Sequence, residues 1–179
     1  MKSLRKGAFF LVVVLQLFIL LGMIAKRIHL LHTGTVVRLD CRPVDPRSLL
    51  SGDYVELRYR IADLNSLPGT NVHRRREDRF SRTIYVALEK GTDDDVWHAV
   101  ACSDAPQDVA GAERVVVRGR TDSGLTDIRY GIEQFFVPQY QGLRIERNLD
   151  RVTVDVAVGS SGECAIKRLY IDGTEVNFH

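Results

Sequence analysis

The stretch Tyr54-Val55-Glu56-Leu57-Arg58-Tyr59-Arg60-Ile61 decides the fold class. Successive side chains of an extended chain point to opposite faces, so Val55, Leu57, Tyr59 and Ile61 share one face while Glu56, Arg58 and Arg60 share the other. A strand of that pattern buries one side and wets the other. The same period, rich in Val, Ile, Tyr and Phe, recurs over residues 82–89, 96–101, 114–120, 126–137 and 151–158. Turn residues separate these runs at intervals of about ten, which predicts a sheet of six to eight strands. Residues 91–95 and Gly159-Ser160-Ser161-Gly162 lie where antiparallel hairpins turn, and Asp172-Gly173 closes another turn after residues 165–171. Only residues 139–148, following Pro138, have helical spacing in this part of the chain, with Leu143, Ile145 and Leu149 on one side.

Ahead of the strands the chain reads GAFFLVVVLQLFILLGMIA over residues 7–25, with Gln16 its only strongly polar side chain and no charge. At about 1.5 Å per helical residue this run spans a hydrocarbon core about 30 Å thick. Lys2, Arg5 and Lys6 precede it, and Lys26 and Arg27 follow it, so cations stand at both interfaces. A cleaved signal peptide has a shorter apolar run and small residues before its cut, whereas here Met23 and Ala25 lead into Lys26. The reading is an uncleaved signal anchor with its short basic tail in the cytoplasm and the following domain outside it. The domains are therefore residues 1–34, comprising tail, transmembrane anchor and short linker, and residues 35–179, a mainly β domain built as an antiparallel sheet or barrel-like structure.

At 179 residues the chain has room for one such domain. Lys and Arg exceed Asp and Glu by only 25 to 23, so no global charge draws it to nucleic acid. Residues 71–79 interrupt the strand rhythm with Arg74, Arg75, Arg76 and Arg79. This polar loop reads either as a site for the phosphate groups of lipid headgroups or polyanions or, preferably because two acids partly offset the four arginines, as a solvated loop with Glu77 and Asp78 as internal counter-ions. Cys41, Cys102 and Cys164 form no CxxC pair, and an odd count leaves at least one thiol outside any intramolecular bridge. The five histidines make no HExxH or clustered set, and Asp93, Asp94 and Asp95 lack the spacing of a calcium loop. These patterns call for neither a metal nor another cofactor.

The most distinctive run spans Pro43 to Tyr59, with Asp45-Pro46-Arg47-Ser48-Leu49-Leu50 leading into Gly52-Asp53-Tyr54 and on to Leu57 and Tyr59. Pro46 sets a turn, Asp45 caps backbone amides, Gly52 permits a positive φ and Asp53 starts the strand. This run resembles the pattern after which the GDYXXLXY family is named. The likeness continues at Tyr130-Gly131-Ile132-Glu133-Gln134-Phe135-Phe136-Val137-Pro138 and at Ala165-Ile166-Lys167-Arg168-Leu169-Tyr170-Ile171-Asp172-Gly173. The resemblance implies a membrane-anchored bacterial protein without an assigned biochemical activity, of a kind often encoded beside multi-pass membrane proteins.

The motif also has a fainter similarity to the substrate-binding strand of the signal-peptidase clan. The serine of that pattern would fall at Pro43, Ser48 is not its equivalent, and the soluble part offers only Lys90 and Lys167 as bases. The expected function is thus non-enzymatic: a single-pass protein of the inner (cytoplasmic) membrane that binds or assists a multi-pass membrane protein. Asp45, Pro46, Arg47, Gly52, Asp53, Tyr54, Leu57, Arg58 and Tyr59 are the candidate binding residues, with the lipid bilayer as the second partner. The alternatives are an envelope hydrolase of the signal-peptidase type and a lipid- or glycan-binding module.

Overall fold

A computed structural model describes residues 2–42, 54–65, 67, 70–71, 82–92, 95–121, 127–138, 145 and 148–176. The apolar run forms helix α1, Lys2–Thr33, longer than the expected anchor at both ends. Its Phe9–Thr33 portion has mean hydropathy 2.5 and is long and apolar enough to cross a membrane. Helical hydrogen bonding continues past Ala25 because the last turns have a protein surface to rest on. Leu30 is buried against the domain, Lys26 Nζ donates to Glu163 Oε1 at 2.6 Å, and Arg27 Nη1 donates to the Cys164 carbonyl at 2.8 Å. The segment expected as a linker is therefore the docked end of the helix, and Gly34 N donating to Leu30 O at 2.9 Å ends it.

Ten strands follow among the described residues, more than the six to eight expected, because short two- and three-residue pieces join the long ones. In the first sheet β1 (Thr35–Asp40), β8 (Val152–Val158), β9 (Cys164–Ile171) and β10 (Thr174–Glu175) run antiparallel in that order. A second sheet has the order β3 (Thr70–Asn71), β5 (Trp97–Ser103), β4 (Arg82–Lys90), β6 (Val115–Thr121). Here only the short β3–β5 ladder is parallel. The expected hairpins are present: Gly91 N donates to Val96 O at 2.8 Å, Gly159 N donates to Glu163 O at 2.9 Å, and Asp172 and Gly173 take φ of 50° and 75° between β9 and β10. Asn71, expected to open the arginine loop, instead pairs with Ser103 in β3, and the rest of that loop lies outside the described residues.

The two sheets share one core, with Val37, Leu39, Val154, Val156 and Leu169 from one side and Ile84, Val86, Leu88 and Val117 from the other. Alternation places these residues inward, and their burial supplies the main favourable free energy of folding. Among the described residues a parallel bridge between Arg38 and Val96 and an Arg118 N to Gly162 O hydrogen bond of 2.8 Å link the sheets. No closed barrel forms among the described residues. Of the expected helix over 139–148, residues 139–144, 146 and 147 lie outside the described residues, while Ile145 is buried in the core.

The outer face of the first sheet carries a polar knot. Arg38 donates from Nε and Nη2 to both oxygens of Asp155, at 2.8 and 3.2 Å, and the Tyr170 hydroxyl donates to Asp155 Oδ2 at 2.9 Å. The guanidinium carbon lies 4.7 Å from the centre of the Tyr170 ring. Asp155 is nearly buried and would be costly there without these donors.

Candidate functional site

Residues 54–61 alternate as expected but do not form a single strand. β2 covers only Tyr54–Glu56, paired with β7 (Gln134–Phe136), and a 3-10 turn takes over at Arg60–Ala62. Between them the chain changes partners: Leu57 N donates to Glu133 O at 2.7 Å, whereas Arg58 O accepts from Arg42 N at 2.7 Å and Tyr59 bridges to Cys41. Extended geometry persists, so Val55, Leu57, Tyr59 and Ile61 are all buried while Glu56 and Arg60 are exposed. A chain shared between two neighbours retains its side-chain alternation without a continuous ladder.

The expected strand over 126–137 is likewise cut down to β7. Gly131 takes φ of 78°, a backbone turn that side chains resist. The Glu133 carboxylate folds back to accept from the amides of Tyr130 and Gly131, fixing that turn. Gly119 in β6 permits the close approach of this segment, since a Cβ there would lie inside van der Waals contact of Ile128 Cγ2 and 3.1 Å from Tyr130 Cε1.

Two tyrosines then clasp the segments reciprocally. The Tyr59 hydroxyl donates to the Ile132 carbonyl at 2.8 Å, and the Tyr130 hydroxyl donates to the Ile61 carbonyl at 2.6 Å. Ile128 N also donates to Ala62 O at 3.1 Å. Both rings are buried, which pushes their hydroxyls well above the ordinary tyrosine range and keeps them neutral donors. The two sequence segments that read as distinctive are thus each other's partners in space. Leu57 and Tyr59 serve the core, and neither presents a side chain to a ligand.

What faces outward is different. Arg58 Nε stands 3.5 Å from Glu56 Oε1, Arg60 Nε 3.6 Å from Asp40 Oδ2, and Arg42 Nη1 3.7 Å from Asp63 Oδ2. These are loose surface pairs that hold one another only weakly. On the β2–β7 ribbon itself Phe136 is 74% exposed, with Gln134, the cross-strand partner of Glu56, next to it on the same face. Sequence reading missed Phe136 as a site residue although the signal was present: in Gln134-Phe135-Phe136 two consecutive aromatics on a strand cannot both face inward. Tyr54 pairs with Phe136 through the backbone, while Asp45, Pro46, Arg47, Gly52 and Asp53 lie outside the described residues.

Burial pushes the Cys41 and Cys164 thiols up to about 12 and that of Cys102 up to about 11. All three are free and buried, the inert state of a cysteine rather than a nucleophile's. Lys90 is exposed and paired with Asp95 at 2.8 Å, and Lys167 is exposed. Among the described residues no group of His, Cys, Asp and Glu side chains could hold a metal ion.

No curated protein and no solved structure matches the chain. A model of the GDYXXLXY protein matches residues 16–169, from the middle of α1 into β9, and so takes in both clasped segments. The chain belongs to the GDYXXLXY family.

Proposed function

We propose that the chain is a non-enzymatic accessory protein of a membrane, in which α1 anchors the domain and the outward face of the β2–β7 ribbon docks a multi-pass membrane protein. The observation that carries this reading is Phe136. A large aromatic side chain 74% exposed on a hydrogen-bonded ribbon, with Gln134 and its cross-strand partner Glu56 next along the same face and Arg58 beyond them, has the make-up of an interface centre: an apolar anchor with polar groups to one side. The clasp beyond the Glu56–Gln134 end of the ribbon ties its two segments together, so docking there costs little conformational entropy. The loosely paired arginines are free to re-pair with a partner's carboxylates. The reading sets the N-terminus in the cytoplasm and the domain on the outer side of a bacterial cytoplasmic membrane, an orientation that the short basic tail ahead of the apolar run supports.

The experiment is co-purification of the full chain from native membranes in mild detergent. Phe136→Ser combined with Arg58→Glu abolishes recovery of a polytopic partner while leaving the melting temperature within a few degrees of wild type, since both side chains are at the surface. Undiminished recovery of the partner with this variant refutes the assignment of the face.

A further inference from the structure

An open groove of about 780 Å³ lies where the end of α1 meets the domain. One wall is the helix, with Met23 and Leu30 apolar and Lys26 and Arg27 charged; the opposite wall carries Arg118, Arg120 and Arg129. The last three are brought together by pairing. Arg118 and Arg120 alternate outward on β6 while Val117 and Gly119 point inward, and Arg129 is bridged to Arg120 across the backbone.

Against these five cations the groove offers two carboxylates, and both are already engaged. Glu133 accepts from the Tyr130 and Gly131 amides. Glu163 is shared by Lys26 at 2.6 Å and Arg118 at 3.7 Å, so cations from both walls converge on one anionic oxygen. Arg120 makes no ion pair with a described residue, and Arg129 reaches only an exposed Asp127 at 3.8 Å. The groove therefore holds a surplus of guanidinium groups, whose forked donors match phosphate oxygens bidentately.

Its position selects among phosphates. Lys26 and Arg27 are the first charges after the apolar run, which is the level at which a spanning helix meets the lipid headgroups. Met23 and Leu30 line the groove on the same helix, giving an apolar surface next to the cations. We propose that this groove binds the headgroup phosphate of an anionic phospholipid, with Arg118, Arg120 and Arg129 as the main ligands and the root of an acyl chain against Met23. The proposal rests on α1 being a membrane anchor and is independent of the docking face on the β2–β7 ribbon.

The test is native mass spectrometry of the full chain in mild detergent, titrated with phosphatidylglycerol, phosphatidylcholine or inorganic phosphate. Phosphatidylglycerol is retained well above phosphatidylcholine, and Arg118→Gln/Arg120→Gln weakens that retention about thirtyfold, as expected for losing two basic contacts to an anionic headgroup. Arg114→Gln/Arg168→Gln removes the same charge elsewhere and leaves retention unchanged. Equal loss in the two double variants overturns the proposal, because the attraction is then diffuse. Inorganic phosphate that competes as well as the lipid overturns it in favour of a free-phosphate site. Carbonate extraction of each variant from membranes reads the anchor separately, so failure of the helix to insert is distinguished from failure of the groove to bind.

Discussion

Replacing Tyr59 by Phe removes one oxygen from the clasp and nothing else. The side chain is 1% exposed, and its hydroxyl donates to the Ile132 carbonyl at 2.8 Å. The variant leaves a buried acceptor unsatisfied, which costs about 1–3 kcal/mol. The slightly more apolar ring offsets part of this, so a loss of about 1.5 kcal/mol is the working figure. For a domain of this size each 1 kcal/mol moves the melting temperature by about 2–4 °C, giving a fall of about 3–6 °C. Thermal unfolding of the full chain in detergent, followed by near-UV circular dichroism, reads the domain and not the helix. Tyr130→Phe has a similar effect through its lost bond to the Ile61 carbonyl. Because both hydroxyls brace the same junction, the double variant loses less than the sum of the two. A Tyr59→Phe melting temperature within about 1 °C of wild type would refute the clasp as a stabilising element.

Gly119→Ala forces a methyl group against Ile128 and the Tyr130 ring, and overpacking of this kind lowers stability by about 1–3 kcal/mol, seen as a lower urea midpoint; an unchanged midpoint contradicts the close approach. The fold also has an alkaline limit. The Cys41 and Cys164 thiols are held up to about 12 from an ordinary value of 9.0, and the two clasp tyrosines are raised above 10.0, so the folded state holds protons that the unfolded chain releases. Their contribution is complete below pH 9 and is lost as the pH rises through that value toward 12. The melting temperature accordingly falls steadily above about pH 9, less so in Cys41→Ala/Cys164→Ala, and a flat profile to about pH 11 contradicts the burial of these groups as ionisable partners.

The long apolar helix and the β character were legible from residues 7–25 and 54–61, because both follow from local rules: an uncharged apolar run of that length suits a helix able to cross a bilayer, and a period of two must put its apolar residues on one face. The hairpins at 91–95, 159–162 and 172–173 were legible for the same reason, since glycine and aspartate set a turn within a few residues. Strand ends were not. The ladder of β2 stops at Glu56 because its neighbour changes from β7 to the end of β1, and no property of residues 57–61 announces that exchange. The sequence marked Tyr59 and Tyr130 as parts of separate motifs, and only the tertiary structure made them a reciprocal clasp, since their hydroxyls meet carbonyls 73 and 69 residues away. The same holds for the basic groove. Lys26, Arg118 and Arg129 are unremarkable in their own surroundings, and their charges add only because antiparallel pairing and the docked helix bring three distant segments to one surface.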